Sequence, residues 1–396
     1  MKLLYITDND ILGHGGGAIG SLKYYDAIKF YADNTHSDFK VVSLNQNVPE
    51  ALDIIVKKTK NIDKLVRIYG HSTYMYHVFK ENKTILKDFK PDVVLLGRSR
   101  LGFIAKFFKK INPSVRVITF FENIEYDYVD GYFSQLNGIK KEIFKTIEKI
   151  GVSHDERDAI EYSDKIVFLT KRDAYRARTL YCWNKNNYAI IPICLKKSQR
   201  LSKKTNKKTV AFVGSLDYDS NLSALKIFIN DVWNPYFANN MEYQFLIAGS
   251  RPKKYLYDWV RNLDNISVVA NFDKLEDVLP IGSMMIAPIE KGAGMKVKVA
   301  DTLSMGLAIA ASDEALVGYE KAIEGDHLHA IMRCNTPNEY IAAIKKYFAL
   351  TDQVKENIFK QNTGLFNEFY TFDVARAVIC HLIDELSIAR KGVYDG

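Results

Sequence analysis

The sequence predicts an α/β protein with two doubly wound parallel sheets, one in each half of the chain. Short apolar segments of strand length alternate with longer segments of helical period, as in strand–helix–strand units. A basic segment interrupts this alternation, which then starts again, and 396 residues is long for one domain. We predict one domain at 1–193, a linker at 194–208, a second domain at 209–371 that faces the first across a cleft, and a closing helix at 372–396 that packs back on the first domain.

The composition is that of an ordinary globular protein, with 47% hydrophobic and 26% charged residues. The four cysteines are scattered and lack metal-binding spacing, which predicts a reducing, cytoplasmic environment. The N-terminus turns polar after six residues, as a first strand does, and no apolar run approaches the ~20 residues of a membrane span. The net charge of +8 suits a partner that bears phosphates. Among phosphate-bearing partners, nucleic acid is the least favoured, because the basic residues are not interleaved with aromatic side chains on one element.

A glycine-rich loop follows the first predicted strand, at 2–7. It contains Gly15, Gly16 and Gly17 and precedes a helix. The spacing is not G-x-G-x-x-G, so a dinucleotide site is not predicted. The loop still lies at the carboxyl edge of a parallel sheet, where ligands bind in open α/β folds. The alternative is a surface loop without a ligand.

Two acids follow the fourth predicted strand of the first half. Strands are predicted at 39–44, 92–96, 115–121 and 165–169, with helices at 49–90, 97–113 and 138–162 and another after 170. Glu122 and Glu125 come directly after the strand at 115–121, where a parallel sheet presents functional groups. The alternative is that both carboxylates are simply solvated.

The basic segment is the predicted linker. Residues 196–208 contain seven basic residues and no acid, and they offer little to bury. This segment is either a solvated hinge or a contact with an anionic membrane.

The second half repeats the alternation. Strands are predicted at 209–213, 243–248, 266–269, 284–289, 307–311 and 330–333, and helices after 214 and at 295–304, 337–350 and 372–390. The stretch 284–312 forms one strand–turn–helix–strand unit, and basic residues lie at the start of its helix.

The start of that helix suits an anion. First-turn N–H groups have no partner within the helix, and Gly292 and Gly294 allow a ligand to approach the backbone. Lys296 and Lys298 add positive charge, but they lie about 200° apart around a helix, so both cannot face one ligand. The alternative is a structural ion pair between Lys298 and Asp301.

Five segments resemble those of the GT-B glycosyltransferases, in particular family 4, retaining enzymes that build bacterial polysaccharides from nucleotide sugars. The segments are FFENIE at 120–125, DKIVFLTKRDA at 164–174, AFVGSLDYDSNLSAL at 211–225, FLIAGSRP at 245–252 and IAPIEKGAGMKVKVADTLSMGLAIAAS at 286–312. The resemblance spans most of the chain. It implies two Rossmann-like domains, the second of which binds the nucleotide sugar.

The resemblance implies transfer of a hexose-type sugar, with retention, from a nucleotide diphosphate donor to a hydroxyl group. A UDP-sugar is the expected donor, and a saccharide or lipid-linked saccharide is the expected acceptor. Lys298, Arg251 and the backbone of Gly294 and Met295 would stabilise the diphosphate leaving group. They would replace a metal ion, so neither a metal nor another cofactor is expected.

Further contacts are implied for the donor and the acceptor. Asp301 would hold the ribose, and the backbone near Phe272 would contact the base. Glu122 would touch the transferred sugar or the acceptor. The remaining donor contacts are Lys296, the turn at Gly214 and Ser215, and the loop at Gly15, Gly16 and Gly17.

Three positions depart from the family pattern. Ala293 stands where many relatives have an acid, and Glu122 stands where a histidine is usual. Asn221 lies where some relatives supply a basic residue to the phosphates, a charge that Arg251 or Lys298 would provide instead. These departures leave two alternatives open: a non-catalytic GT-B subunit that supports a partner transferase, and a nucleotide-sugar epimerase.

Overall fold

The computed structural model describes residues 1–13, 16–132, 138–324 and 330–391. Its backbone forms two compact units, each built on its own parallel sheet. Unit 1 contains Met1–Cys194 and the chain from Phe372 onward, and unit 2 is Leu195–Thr371. Within the described ranges, no helix is both long and apolar enough to cross a bilayer.

Unit 1 alternates strands and helices along the chain. Its strands are β1 (Lys2–Asp10), β2 (Asp38–Leu44), β3 (Val93–Leu96), β4 (Arg116–Phe121), β5 (Lys165–Phe168) and β6 (Tyr188–Ile190), and its helices up to residue 194 are α1 (Gly16–Thr35), α2 (Lys60–Ile68), α3 (Met75–Phe89), α4 (Gly102–Ile111), α5 (Glu125–Tyr132), α6 (Ile139–Tyr162) and α7 (Lys171–Tyr181). The sheet order is β2-β1-β3-β4-β5-β6, with parallel pairing throughout. The winding therefore reverses between β1 and β3.

Unit 2 repeats this plan. Its strands are β7 (Lys208–Val213), β8 (Tyr243–Gly249), β9 (Ile266–Ala270), β10 (Met284–Ala287), β11 (Ala308–Ala311) and β12 (Ile331–Arg333), and its helices are α8 (Asp219–Phe228), α9 (Asn234–Tyr236), α10 (Lys254–Val260), α11 (Val297–Ser304), α12 (Glu320–Ile323), α13 (Pro337–Phe348) and α14 (Asp352–Phe369). The sheet order is β12-β11-β10-β7-β8-β9. The winding here reverses between β7 and β10.

The last helix, α15 (Phe372–Lys391), returns to unit 1. Ile379 and Ile383 are fully buried in the same apolar cluster as Ile28 of α1. At the edge of this contact, Arg376 Nε lies 2.7 Å from the Asp26 carboxylate. One face of the first sheet is thus completed by the C-terminal part of the chain.

The basic segment between the sheets lies against unit 2. Leu201 is buried, and Ser198 Oγ lies 2.8 Å from Ser304 Oγ. The carbonyl oxygen of Lys203 accepts a hydrogen bond from the N–H of Ile281 at 2.8 Å. Most of the segment is exposed, as predicted for a solvated segment with little to bury, but one leucine and hydrogen bonds fix it to the second unit.

The predicted fold class is confirmed, since both sheets are parallel and doubly wound. Some local predictions are wrong. Residues 49–59 contain no helix, although 49–90 reads as mainly helical, and the helix predicted at 295 begins at Val297. The pattern also does not predict α14, because its apolar residues are sparse among polar ones.

Candidate functional site

The point where unit 2 reverses its winding collects many of the residues predicted to bind a donor. β7 runs into Gly214 and Ser215, and β10 runs into the turn that contains Gly292 and Gly294. These two strands are parallel neighbours, so their carboxyl ends lie at the same edge of the sheet. The loops leave such a pair in opposite directions, and the crevice between them is where ligands bind in open α/β sheets.

The turn before α11 has a fixed conformation. Gly294 has a φ of +61°, which residues with a side chain rarely adopt. Tyr319 Oη donates to the carbonyl oxygen of Lys296 at 2.8 Å and accepts from the N–H of Ala300 at 3.2 Å. The start of α11 is therefore held in place, and helix starts of this kind favour anions.

Lys298 is buried in the first turn of α11, with only 7% of its surface exposed. Its Nζ donates to Asn221 Oδ1 at 2.9 Å and lies 3.8 Å from the centre of the Phe212 ring. Burial lowers the pKa of Lys298 to about 7, with help from the charge of Lys296 and against that of Asp301. The alternative of an ion pair with Asp301 is wrong, because a neutral amide holds the ammonium. A buried ammonium that is held by an amide rather than by a carboxylate is a group that an anion stabilises.

Asn221 joins Lys298 to the loop after β7. Its Nδ2 donates to the carbonyl oxygen of Ser215 at 2.9 Å. Gly214 allows this close packing, because a Cβ there would lie 2.8 Å from Asn221 Nδ2 and 3.4 Å from Lys298 Nζ. Sequence reasoning missed this role of Asn221 because it lies 77 positions from Lys298.

Arg251 extends the cluster on its exposed side. It follows β8 with a φ of +53°, and its Nη2 donates to Ser215 Oγ at 2.8 Å. Its Nε lies 3.0 Å from an oxygen of Asp217, and the Arg251 side chain is 70% exposed. The fold thus brings together four of the predicted donor-binding residues: Gly214, Ser215, Arg251 and Lys298.

The other lysine of the turn is directed elsewhere. Lys296 Nζ donates to the carbonyl oxygens of Gly294 at 2.9 Å and Ala293 at 3.3 Å, and it lies 3.2 Å from Glu314 Oε1. Met295, beside it, is buried. In this arrangement Lys296 stabilises the turn, and Lys298 is the lysine that contacts the loop after β7.

Asp301 and Phe272 are less closely tied to this cluster. Burial raises the pKa of Asp301 to about 7, with Glu276 adding to the effect and Lys298 opposing it. Phe272 is partly buried two residues after β9. In the part of the chain that the structure describes, no hydrogen bond, ion pair or ring contact joins Phe272 to Lys298 or Arg251.

The point where unit 1 reverses its winding collects buried charges. Asp8 belongs to β1, and Arg98 follows β3. Arg98 Nη1 lies 3.6 Å from Asp8 Oδ1, beyond hydrogen-bond distance. Among the described residues, Asp8 Oδ1 and Arg98 Nε are both buried without a hydrogen-bond partner. Buried polar atoms normally have partners, so these atoms mark a place where a ligand would satisfy them.

Glu122, at the end of β4, reaches the same edge. Its carboxylate packs against α1, where a Cβ added to Gly20 would lie 1.5 Å from Oε1. Burial raises the pKa of Glu122 to about 7, against the charges of Arg98 and Lys23. The group can therefore be protonated or ionised near neutral pH.

Glu125 orients Arg98. It accepts hydrogen bonds from Arg98 and, at 2.8 Å, from Arg100 Nε. Arg100 in turn donates to Glu148 at 2.6 Å, and Glu148 accepts from Arg67 at 2.5 Å. Against the effect of burial, the two arginines lower the pKa of Glu125 to about 2. The alternative of a solvated acid is wrong here, because Glu125 is only 1% exposed.

The glycine loop of unit 1 is described only in part. Gly15 lies outside the described residues, and Gly16 is the first residue of α1. The carbonyl oxygen of Gly17 accepts a hydrogen bond from Asn9 Nδ2 at 3.0 Å, which ties the loop to the end of β1. Sequence reasoning missed Asp8 and Arg98, although both follow from taking polar residues at the ends of the first and third predicted strands.

Two doubly wound units of this kind are the GT-B fold, and solved structures confirm it. A glycosyltransferase from Rickettsia africae ESF-5 superposes with a TM-score of 0.67, 11% identity and coverage of 97% of this chain and 98% of that chain. WaaG, a glycosyltransferase involved in lipopolysaccharide biosynthesis, superposes with a TM-score of 0.64 and 11% identity, over 95% of this chain and 98% of WaaG. Anabaena Alr3699/HepE, solved in complex with UDP, superposes with a TM-score of 0.62 and 11% identity, over 97% of this chain and 100% of that chain.

The similarity to a known family model lies in unit 2. Residues 207–349 match the family model described as glycosyl transferases group 1. The match includes Arg251, Lys298 and the loops at both strand ends. An uncharacterized 44.6 kDa protein in the cps region of Klebsiella pneumoniae is 24% identical over 189 residues, 46% of this chain and 47% of the relative. The chain thus spans about half the length of the curated relative it matches.

Proposed function

We propose that the protein is a glycosyltransferase. It transfers a hexose-type sugar from a nucleotide diphosphate donor to a hydroxyl of a saccharide or a lipid-linked saccharide. The observation that carries this proposal is Lys298, a buried cation held by a neutral amide at the switch point of a glycosyl transferases group 1 domain. A diphosphate would supply the counter-charge that this cation lacks.

The chemistry places the greatest demand on the leaving group. As the bond from the anomeric carbon to the phosphate oxygen breaks, negative charge accumulates on the diphosphate. Lys298 and the N–H groups at the start of α11 are fixed in advance, so they stabilise that charge without reorganisation. Arg251 would join them by releasing Asp217, and this exposed ion pair is a weak one to break. Asp301 would contact the ribose, and Phe272 would lie near the base.

Unit 1 would supply the acceptor side. This edge of the sheet carries the carboxylates of Asp8 and Glu122. Its cation, Arg98, is already paired with Glu125, so the edge has no excess of positive charge. Carboxylates accept hydrogen bonds from hydroxyl groups, which suits an acceptor sugar better than a phosphate. Glu122 is the residue we assign to the acceptor or the transferred sugar.

The proposal includes four finer features of the reaction. Retention rests on the resemblance to family 4 alone. A UDP-sugar donor is supported by the similar Anabaena structure, which contains UDP. Metal independence is supported by Lys298 and Arg251, which offer the positive charge that a divalent ion supplies elsewhere. A saccharide or lipid-linked saccharide acceptor is supported by the likeness to WaaG, a glycosyltransferase involved in lipopolysaccharide biosynthesis.

A donor panel tests the proposal. UDP-, GDP- and dTDP-sugars are added in turn, and the melting temperature is recorded, because a ligand that binds only the native state stabilises it. The same panel with radiolabelled sugars then measures transfer to saccharide acceptors. We expect one nucleotide to stabilise the wild type and Lys346→Ala, which changes an exposed lysine on α13, but not Lys298→Ala.

One specific observation favours a second function. Ala293 occupies a position that carries an acid in many relatives, and its carbonyl oxygen holds Lys296 rather than a ligand. A GT-B subunit that binds nucleotide sugar without transferring it would fit this. Donor binding without turnover, with any acceptor and with or without added Mg²⁺, would support that function over catalysis.

A further inference from the structure

Helix α6 exposes an unusual number of large apolar side chains. The exposed fractions are 82% for Ile139, 53% for Ile143, 52% for Phe144, 38% for Ile147 and 60% for Ile150. These five residues lie within the first twelve positions of the helix. A surface helix normally turns polar residues outward, so this face departs from the expected pattern.

The exposed isoleucines form one stripe. At ~100° per residue, the four isoleucines fall within about 80° of one another around the helix axis. The opposite side of the same helix is polar but buried, because Glu148 accepts from Arg67 and Arg100 and Asp155 accepts from Ser72. The helix is therefore inverted in this part: its charged groups fix it to the protein, and its apolar groups face outward.

Such a concentration of exposed apolar side chains on one helix marks an interaction site. We call the exposed apolar residues of α6 between Ile139 and Ile150 the α6 face. Helix α2 exposes Leu65 and Ile68, but its Arg67 bonds Glu148 on the opposite, polar side of α6, so α2 is not part of this face.

The charged residues of the same segment indicate which kind of partner the apolar stripe binds. The sequence from 139 to 150 contains four lysines and two glutamates. One of these glutamates, Glu148, forms ion pairs with Arg67 and Arg100. The Asp130 carboxylate forms ion pairs with Lys145 Nζ and Lys149 Nζ, each at 2.7 Å. A helix that exposes an apolar stripe and whose sequence carries more lysines than acids is typical of one that lies in the interface of an anionic bilayer. We propose that the α6 face binds the surface of an anionic lipid bilayer, with the isoleucines inserted among the acyl chains.

This surface differs from the basic segment at 194–208, which sequence reasoning offered as a membrane contact. That segment has exposed lysines, but its one leucine, Leu201, is buried against unit 2. It therefore offers charge without apolar insertion, whereas α6 offers both. A second copy of the chain is a weaker occupant, because the face would bring two lysine-rich flanks together and like charges repel.

Vesicle sedimentation with the full-length protein tests the proposal independently of catalysis. The vesicles contain phosphatidylcholine with phosphatidylglycerol in equal amounts, or phosphatidylcholine alone. We expect the wild type to sediment with the anionic vesicles and to be released in part by 0.5 M salt. The variant Ile143→Glu/Ile150→Glu should need at least ten times more lipid for half-maximal binding.

The matched control is Ile281→Glu/Ile388→Glu, which changes isoleucines that are 51% and 70% exposed on other elements. It should bind as the wild type does, and all three proteins should melt at similar temperatures. Equal binding by the two double variants overturns the proposal, as does failure of the wild type to bind anionic vesicles. Light scattering separates one further outcome: a wild-type dimer that becomes monomeric in Ile143→Glu/Ile150→Glu, without vesicle binding, would make the face a self-association surface and also overturn it.

Discussion

Both units place a cation at the point where the winding of the sheet reverses, but the direct partner of the cation differs between them. In unit 2, the Lys298 ammonium directly contacts a neutral amide and an aromatic ring, and the charge of Asp301 acts on it only from farther away. In unit 1, Arg98 contacts Glu125 directly and has Asp8 nearby. The same fold can therefore prepare one crevice for an anion and another for neutral hydroxyl groups, by changing only the partner of the cation.

The largest effect should come from removing the unpaired cation. Lys298→Ala should lower kcat/KM for transfer by about 10²–10³-fold, the usual cost of one preorganised group that stabilises a developing anion. It should also weaken binding of the free nucleotide, measured by calorimetry. Glu122→Gln should lower transfer but leave nucleotide affinity unchanged. Loss of nucleotide binding in Glu122→Gln, or its retention in Lys298→Ala, would contradict the division between the two crevices.

The pH dependence of nucleotide binding should follow Lys298. Its pKa in the free protein is lowered to about 7, so the ammonium loses its proton as pH rises above that value. Nucleotide diphosphate affinity should therefore fall between pH 7 and 9, by up to about tenfold per pH unit. Lys298→Arg, which stays charged throughout this range, is the control and should give a flatter profile. An unchanged slope in Lys298→Arg would mean that another group titrates.

The position of the Glu122 carboxylate can be tested without changing that residue. In Gly20→Ala, the new methyl group would lie 1.5 Å from Oε1, so the carboxylate must move. The end of a glutamate side chain moves easily, and alanine is the better helix former, so unfolding in urea should change by less than about 1 kcal/mol. Transfer should nevertheless fall by about tenfold.

Gly102 provides the contrast for that experiment. A Cβ at Gly102 would lie 2.0 Å from the backbone oxygen of Asp155, so α4 and α6 would have to separate. Gly102→Ala should therefore cost about 1–3 kcal/mol in unfolding free energy. Similar stability losses in Gly20→Ala and Gly102→Ala would show that Gly20 serves packing rather than the position of Glu122.

The smallest expected effect concerns Asp301. Its pKa is raised to about 7 in the folded protein, so the folded state binds the proton more tightly than the unfolded chain does. Stability from this group is present at low pH and is lost as pH rises through 7. The full change in pKa would correspond to ~4 kcal/mol, but Asp301 is only partly buried and solvent screens its charge. Asp301→Asn removes this penalty, so it should raise the unfolding free energy by about 1 kcal/mol at pH 8 and by less at pH 5. A larger gain at pH 5 would reverse the assigned sign.

The sequence predicts the class of fold and part of the candidate site in unit 2 because both depend on local patterns. Alternating strands and helices define the two sheets, and the Gly-containing turn before Lys298 is visible within a few residues. The partners are not visible, because they come from distant positions. Asn221 approaches Lys298 only when β7 and β10 pair, and Arg98 meets Asp8 only when β3 pairs with β1. The inverted surface of α6 is hidden in the same way, since its buried acids need arginines from α2 and from the loop after β3.

The return of α15 to unit 1 sets an order of assembly during synthesis. Unit 2 is one continuous stretch, Leu195–Thr371, so its whole sheet is available once that stretch has left the ribosome. Unit 1 begins first but lacks the helix that covers Ile28 until residues near Ile383 have been made. The half of the chain that is translated first should therefore be the half that finishes folding last. Until then its uncovered apolar face is exposed to the hazards of every unfinished domain.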